Sequence, residues 1–206
     1  MIDRFMRGVK NALLRGPATL LSRHVSALPI TVAAFAVGAA AVIAAATGAM
    51  VIACALWLAN RILDGIDGEV ARIRGESSDL GGYVDMLGDA IVYAALPAAI
   101  ALDRGDPAFT MSTLVMIAAF YGNLASWMYL SAILEKRQQT DPARTTSIDM
   151  PSGLMEGTET IVLYTALLLI PQWGVAIALI GAAGGGVGII QRLVWAVRTL
   201  GSEPGR

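Results

Sequence analysis

The chain has 206 residues, of which 56% are hydrophobic and only 15% are charged, and its mean hydropathy is +0.64. Soluble globular proteins average roughly 45–50% apolar and about 25% charged residues, so this composition indicates a membrane protein. The formal net charge of −1 excludes the strongly basic surface that nucleic-acid binding requires, and we expect no nucleic-acid partner.

Residues 1–24 are predicted to form an amphipathic helix that lies in the membrane interface. Its apolar residues recur at helical spacing: Ile2, Phe5, Met6, Val9 and Leu13. Basic side chains fill the opposite face, where they would meet anionic lipid headgroups. We expect the Gly16-Pro17 pair to break this helix.

Six apolar stretches follow, and each is predicted to be a transmembrane helix. They lie near residues 28–46, 49–73, 80–102, 109–134, 155–171 and 174–198. The connections are short, except for a polar one from Glu135 to Met150. The sequence therefore predicts an all-α, polytopic membrane domain over residues 25–200, followed by a flexible tail over residues 201–206.

The basic residues test this arrangement of six spans. With the N-terminus inside, fourteen of the fifteen Lys and Arg residues fall on the inner side, and only Arg104 falls outside. Cytoplasmic loops of membrane proteins carry such an excess of positive charge. We therefore predict that both termini are cytoplasmic.

An unusual concentration of acidic residues interrupts the second and third apolar stretches. Seven of the sixteen Asp and Glu residues fall between Asp64 and Asp89. Asp64 and Asp67 are three residues apart and share a helix face, and so do Asp85 and Asp89, four residues apart. Ionisable residues in membrane helices are costly, so their default interpretation is a functional site.

Four carboxylates would repel one another unless cations neutralised them. Oxygen ligands favour hard ions such as Mg²⁺ or Mn²⁺, and a pair of these could neutralise a diphosphate. The small residues Gly68, Ala71 and Gly81 would let a ligand approach the backbone, and Arg72 could hold a phosphate.

These residues form the pattern D-x2-D-G-x2-A-R-x8-G-x3-D-x3-D, from Asp64 to Asp89. The pattern resembles that of class I integral membrane CDP-alcohol phosphotransferases, also called CDP-alcohol phosphatidyltransferases. The resemblance implies that Asp64, Asp67 and Asp85 bind two divalent cations, Mg²⁺ or Mn²⁺. It makes Asp89 the general base, close enough to share a metal, and implies that Gly68, Ala71 and Gly81 make room for the nucleotide.

The same resemblance implies an enzyme of phospholipid biosynthesis, a homodimer in a bacterial inner or plasma membrane, with its active site facing the cytoplasm. It would transfer a substituted phosphate, most simply phosphatidyl from CDP-diacylglycerol, to a small alcohol and release CMP. Transfer from a soluble CDP-alcohol to a lipid acceptor is the alternative. A divalent-cation transporter, a membrane prenyltransferase and a charge network without catalysis are the other interpretations of the aspartates.

The acceptor is less clearly indicated. Glu156, Thr158 and Glu159, which precede the fifth helix, are candidate acceptor or cavity contacts, and so is Arg61, one turn before Asp64. The two glutamates are also typical of an ordinary helix start, where the macrodipole favours acids. The basic residues Lys136, Arg137, Arg144 and Arg192 are expected mainly to face solvent or headgroups, although they could favour a phosphorylated acceptor.

Overall fold

The structure is a computed structural model that describes residues 14–140, 153–155 and 157–200. It contains α1 (Ala27–Ala46), α2 (Met50–Arg74), α3 (Asp79–Arg104), α4 (Pro107–Thr140), α5 (Gly157–Leu169) and α6 (Gly174–Leu200). A short 3₁₀ helix, Pro171–Trp173, joins α5 to α6. The described part of the chain holds no β-strand, which confirms the all-α prediction.

The number of membrane spans is only partly supported by the helix lengths. Within the described residues, four helical stretches are long and apolar enough to cross a membrane: α1, α3, the Pro107–Arg137 part of α4, and Pro171–Leu200. Helix α2 carries the first aspartate pair, and α5 is an apolar helix of 13 residues. The structure therefore supports a membrane protein, and the count of six spans stays a prediction.

Helix α4 is longer than predicted. It continues to Thr140, although the sequence pattern predicts a polar connection from Glu135 onward. The added residues include Glu135, Lys136 and Arg137, which are good helix formers. The helix thus extends beyond its apolar stretch. Residues 141–152 of the connection lie outside the described residues.

The predicted break at Gly16-Pro17 is wrong, because residues 14–21 form one helical segment. Ala18 is fully buried in a small cluster that contains Ile30, Ile66 and Val70. Tertiary packing of this kind stabilises the helical segment against the unfavourable helix propensity of glycine and proline. Residues 1–13 and 201–206 lie outside the described residues, so the interfacial helix and the tail stay predictions.

The helices form two groups, which are connected by α5 and by a direct contact between α3 and α4. Helix α1 packs against α2 and α3, whereas α4 packs mainly against α6, and α5 contacts α2, α3 and α6. Close approach within the first group depends on Gly38 of α1. A Cβ atom there would lie 2.8 Å from Val92 Cγ2 of α3 and 3.0 Å from Asn60 Nδ2 of α2.

The main core lies between the two groups and is centred on aromatic side chains. Trp57 of α2, Tyr93 of α3 and Tyr164 of α5 meet with ring centroids 5.4–5.5 Å apart. The Tyr164 hydroxyl donates a hydrogen bond of 2.6 Å to the Tyr93 carbonyl oxygen. Offset or edge contacts between rings stabilise such a cluster beyond its buried area. The Trp57 and Tyr93 rings also contact the guanidinium of Arg61.

A tight turn reverses the chain between α2 and α3. Gly75 ends α2 in the left-handed conformation, with φ of 64°. Ser78 begins α3, and its side-chain oxygen accepts a 3.1 Å hydrogen bond from the Gly81 N–H. Glycine adopts positive φ without strain, and serine is a preferred N-cap residue. The turn therefore reverses the chain, so that α2 and α3 run in opposite directions and their acidic residues can meet.

Candidate metal and substrate site

The two helices bring three of the four motif aspartates together. One carboxylate oxygen from each of Asp64, Asp85 and Asp89 lies within 4.8 Å of the others, and all three side chains are half-buried. Carboxylate oxygens at such spacing can share a hard divalent cation. The sequence prediction that the pairs converge is thus met by the geometry of these three residues.

Asp67 lies deeper than the other three. It is only 5% exposed, and its buried Oδ2 atom has no hydrogen-bond partner among the described residues. A buried carboxylate oxygen without a partner is costly. A cation beside Asp67 would satisfy this atom, so the donor set fits divalent ions.

The larger part of the motif lines a cavity of about 330 Å³ at the start of α3. Six of its eight fixed residues form the walls: Asp67, Gly68, Ala71, Arg72, Gly81 and Asp85. A Cβ atom at Gly68 would meet no atom within 4 Å, so this glycine faces open space rather than a packed neighbour. We call this space the motif cavity, and its shape leaves room for a ligand against the α2 backbone.

Arg72 lines the motif cavity with an exposed side chain. It is exposed, and its Nε and Nη2 atoms donate to Glu69 Oε2 at 3.0 and 2.5 Å. Glu69 is only 12% exposed, whereas Arg72 is 60% exposed. The Arg72 guanidinium can therefore also reach an anionic ligand in the motif cavity.

A second cavity, of about 480 Å³, lies among α3, α4, α5 and α6. We call it the inter-helix cavity. Its walls include Asp89, Tyr93, Asn123, Trp127, Thr160 and Arg192. Asp89 lines this cavity and not the motif cavity, while its carboxylate lies close to those of Asp64 and Asp85. It therefore belongs to the acidic cluster, formed by Asp64, Asp85 and Asp89, and also lines the inter-helix cavity.

Arg192 is the charged residue of α6 that faces this cavity. It is 5% exposed, and its Nη1 atom donates to the Asn123 carbonyl oxygen at 3.1 Å and to the Asn123 side-chain oxygen. The prediction that Arg192 mainly faces solvent or headgroups is wrong, because α6 turns this side chain towards α4. An arginine inside an apolar helix is itself a signal for a functional position.

Arg61 has more contacts than its sequence position indicates. Its Nη1 and Nη2 atoms donate to the two carboxylate oxygens of Asp89, at 3.0 and 2.5 Å. Nη1 also donates to the Tyr93 hydroxyl at 3.0 Å, and Nε donates to Asn60 Oδ1 at 2.7 Å. Arg61 lines neither the motif cavity nor the inter-helix cavity, so its interpretation as an acceptor or cavity contact stays a prediction.

The other acceptor candidates are not assembled with the aspartates. Glu156 lies outside the described residues. Thr158 and Glu159 lie on the first turn of α5 and line neither cavity, whereas the neighbouring Thr160 lines the inter-helix cavity. Side-chain direction at a helix start depends on tertiary packing, so the sequence pattern alone does not distinguish these neighbours.

Comparisons with known proteins agree with this geometry. A family model described as CDP-alcohol phosphatidyltransferase matches residues 24–190. Inner membrane protein YnjF from Escherichia coli (strain K12) is 32% identical over 175 residues, which are 84% of each chain. The fold is similar to that of Mycobacterium tuberculosis phosphatidylinositol phosphate synthase (PgsA1) with CDP-DAG bound. That match has a TM-score of 0.68 and 18% identity and covers 96% of both chains.

Proposed function

Because the chain belongs to the CDP-alcohol phosphatidyltransferase family, and is therefore a transferase of substituted phosphate groups, we propose that it transfers phosphatidyl from CDP-diacylglycerol to a small alcohol. CMP is the second product. The observation that carries this proposal is the motif cavity, which six fixed motif residues line beside the acidic cluster. The family gives no support to the cation-transporter interpretation of the aspartates.

The donor diphosphate binds where the acidic cluster meets the motif cavity. Two divalent cations, Mg²⁺ or Mn²⁺, held by Asp64, Asp67 and Asp85 with Asp89 nearby, would neutralise the diphosphate and polarise the phosphorus. Gly68 and Ala71 leave room for the nucleotide, and Arg72 leaves Glu69 to hold the phosphate of the departing CMP. These residues bind and orient the donor, with its lipid chains towards the membrane.

Asp89 removes the proton from the acceptor hydroxyl. The acceptor oxygen then attacks the phosphorus that carries diacylglycerol, the bond between that phosphorus and the oxygen bridging to CMP breaks, and CMP leaves. This assignment is supported by the position of Asp89, which lines the inter-helix cavity and lies beside Asp64 and Asp85. No covalent enzyme intermediate is needed.

The acceptor enters through the inter-helix cavity. Thr160 and Asn123 offer hydrogen-bonding groups there, and Arg192 offers a positive charge. These groups favour a polar acceptor with an anionic substituent over a cationic one. Two carboxylates from Glu156 and Glu159 would have favoured the opposite, but Glu159 does not line this cavity.

The alternative, a soluble CDP-alcohol and a lipid acceptor, is favoured by one observation. The inter-helix cavity also has apolar and aromatic walls, including Ile117, Phe120 and Leu124. A lipid alcohol could lie against them with its hydroxyl near Asp89. The two directions differ in which substrate carries the acyl chains, so product analysis distinguishes them.

The protein is proposed to act in a bacterial inner membrane, as the name of its Escherichia coli relative supports. The cytoplasmic position of the active site is supported by the basic residues, which the sequence pattern assigns to the same side as the α2–α3 turn. A homodimer stays an expectation from the family resemblance.

The test is CMP release by the purified protein with Mn²⁺ or Mg²⁺ and CDP-diacylglycerol. Acceptors should include glycerol phosphate, inositol, inositol phosphate, serine, choline and ethanolamine, and a parallel arm should use soluble CDP-alcohols with diacylglycerol. We expect CMP release together with a new phospholipid in the first arm. Product in the second arm alone would reverse the direction, and no CMP in either arm would contradict transferase activity on these substrates.

The variant Gly68→Leu tests whether the donor binds in the motif cavity. Its side chain would fill the open space above α2, so the KM for the CDP-linked donor should rise at least about tenfold. Gly186→Leu is the control, because a Cβ at Gly186 of α6 also meets no atom within 4 Å but lies outside both cavities. Equal effects of the two substitutions would argue against donor binding in the motif cavity.

A further inference from the structure

We propose that Arg61 is a positioning residue that holds the carboxylate of Asp89 in the orientation needed for proton transfer. The inference rests on the proposed function, in which Asp89 accepts the proton of the acceptor hydroxyl. It assigns Arg61 a role in turnover that differs from binding either substrate.

The contact between the two residues is a two-point hold. Arg61 Nη1 donates to Asp89 Oδ2 at 3.0 Å, and Nη2 donates to Asp89 Oδ1 at 2.5 Å. A planar guanidinium that bonds both oxygens determines the plane of the carboxylate as well as its position. Each carboxylate oxygen has two acceptor positions, so one on each remains for a substrate proton.

Arg61 is itself held by groups other than Asp89. Its Nε atom donates to Asn60 Oδ1 at 2.7 Å, and Asn60 Nδ2 donates to the Ala34 carbonyl oxygen of α1 at 2.8 Å. The guanidinium carbon lies 4.9 Å from the Trp57 ring centroid and 4.8 Å from that of Tyr93. Arg61 therefore connects the Asp89 carboxylate to α1, α2 and the aromatic core, and these fix its orientation.

Direct contact between Arg61 and a substrate is not supported by the geometry. The side chain is 6% exposed, it lines neither cavity, and all three guanidinium nitrogens have hydrogen-bond partners. Asp89, by contrast, lines the inter-helix cavity. Arg61 therefore acts on the reaction mainly through Asp89, since its other carboxylate contact, from Nη1 to Asp64 Oδ2, is 3.9 Å long.

The deciding variant is Arg61→Lys, which keeps the positive charge but loses the planar two-point hold. Displacement of a reacting group by about 1 Å can cost about a hundredfold in rate, so we expect kcat to fall by about that factor. Because Arg61 touches no substrate, the KM values for donor and acceptor should stay within about twofold. Binding of CMP in the presence of Mn²⁺ should also be unchanged.

Arg104→Lys is the matched control, since Arg104 is exposed at the opposite end of α3. Full kcat in this variant, together with thermal stability of both proteins in detergent, would separate local chemistry from general damage. A wild-type kcat in folded Arg61→Lys would overturn the inference. A raised donor or acceptor KM with unchanged kcat would also overturn it, because that pattern indicates substrate binding.

Asn60→Ala decides the question if Arg61→Lys does not fold. It leaves both Arg61 and Asp89 in place and removes the acceptor of the Arg61 Nε proton, together with the hydrogen bond from Asn60 to the Ala34 carbonyl oxygen. We expect a smaller loss of kcat, about tenfold, with unchanged KM values. Unchanged kcat in folded Asn60→Ala would then contradict the proposal.

A double-mutant cycle tests whether Arg61 affects kcat through Asp89. In the Asp89→Glu background, where the carboxylate is already displaced, Arg61→Lys should lower kcat by less than about threefold. A full hundredfold loss in that background would show that Arg61 does not act through Asp89. If wild-type protein releases no CMP with any substrate pair, the proposed function itself fails, and that result differs from a selective loss in the variants.

Discussion

At the scale of single residues, Asp89 combines two positions that the other aspartates do not. Its carboxylate lies with those of Asp64 and Asp85, and its side chain lines the inter-helix cavity. Asp67 has the opposite environment, nearly buried and lining the motif cavity. Aspartates of one motif thus have different environments, because they face different cavities.

Substitution of Asp89 by Asn tests this difference. The amide keeps the size of the side chain but cannot accept the proton, so kcat should fall by about 10²–10⁴-fold. Binding of CDP-diacylglycerol should persist, because Asp89 does not line the motif cavity. CMP release and donor binding measured on the same preparation provide the comparison.

Asp103→Asn is the control for that variant, since Asp103 is an exposed residue near the opposite end of α3. It should turn over like the wild type. Turnover by Asp89→Asn at the wild-type rate would rule out Asp89 as the base.

At the scale of elements, the α2–α3 hairpin builds the site. Each helix carries a carboxylate pair on one face, and the turn with Gly75 and Ser78 reverses the chain between them. The same turn forms part of the motif cavity, because Ser77, Ser78 and Gly81 line it. A change in the turn should therefore affect stability and donor binding together.

Gly75→Ala is the prediction for this hairpin. Gly75 has a φ of 64°, and an alanine in that conformation costs about 1 kcal/mol, which lowers Tm by about 2–4 °C in a protein of this size. We also expect a raised KM for the CDP-linked donor, as the start of α3 shifts. Thermal unfolding in detergent and steady-state kinetics measure the two effects.

Gly105→Ala supplies the same backbone strain at the opposite end of α3, where φ is 63°. It should lower Tm by a similar amount and leave the donor KM unchanged. If both variants changed the donor KM equally, the turn would have no particular link to the motif cavity.

At the scale of the whole molecule, α5 joins the α1–α3 group to the α4 and α6 pair. The motif cavity lies at the edge of the first group, while the inter-helix cavity needs residues from both groups. Asp89 lies where the acidic cluster of the first group meets the second cavity. Donor and acceptor can thus approach one carboxylate from different sides of the bundle.

The predicted membrane topology can be tested with single cysteines. Ser77→Cys and Arg137→Cys should react with an impermeant thiol reagent from the cytoplasmic side only, and Arg104→Cys from the opposite side only. The native Cys54 is buried, and Cys54→Ala removes its background. Labelling of Ser77→Cys and Arg104→Cys from one side would contradict the predicted path of α3.

Much of this arrangement follows from local sequence. Apolar stretches of helical length predicted the six helices, because burial of a continuous apolar surface and satisfaction of the backbone both favour a helix in lipid. The spacing within each aspartate pair predicted a shared face, since helical periodicity alone decides it. The failures came where packing overrides propensity, as at Gly16-Pro17, or where good helix formers extend a helix beyond its apolar part, as in α4.

The sequence by itself determined the helical membrane fold, the motif and the family, all of which depend on composition and on spacing along one or two helices. Only the tertiary structure decided that Arg61 pairs with Asp89, 28 residues away in the sequence. Only the tertiary structure decided that Arg192 and Asp89 line the same inter-helix cavity. Those contacts join different helices, and their geometry depends on how the helices rotate and pack. No local periodicity carries that information.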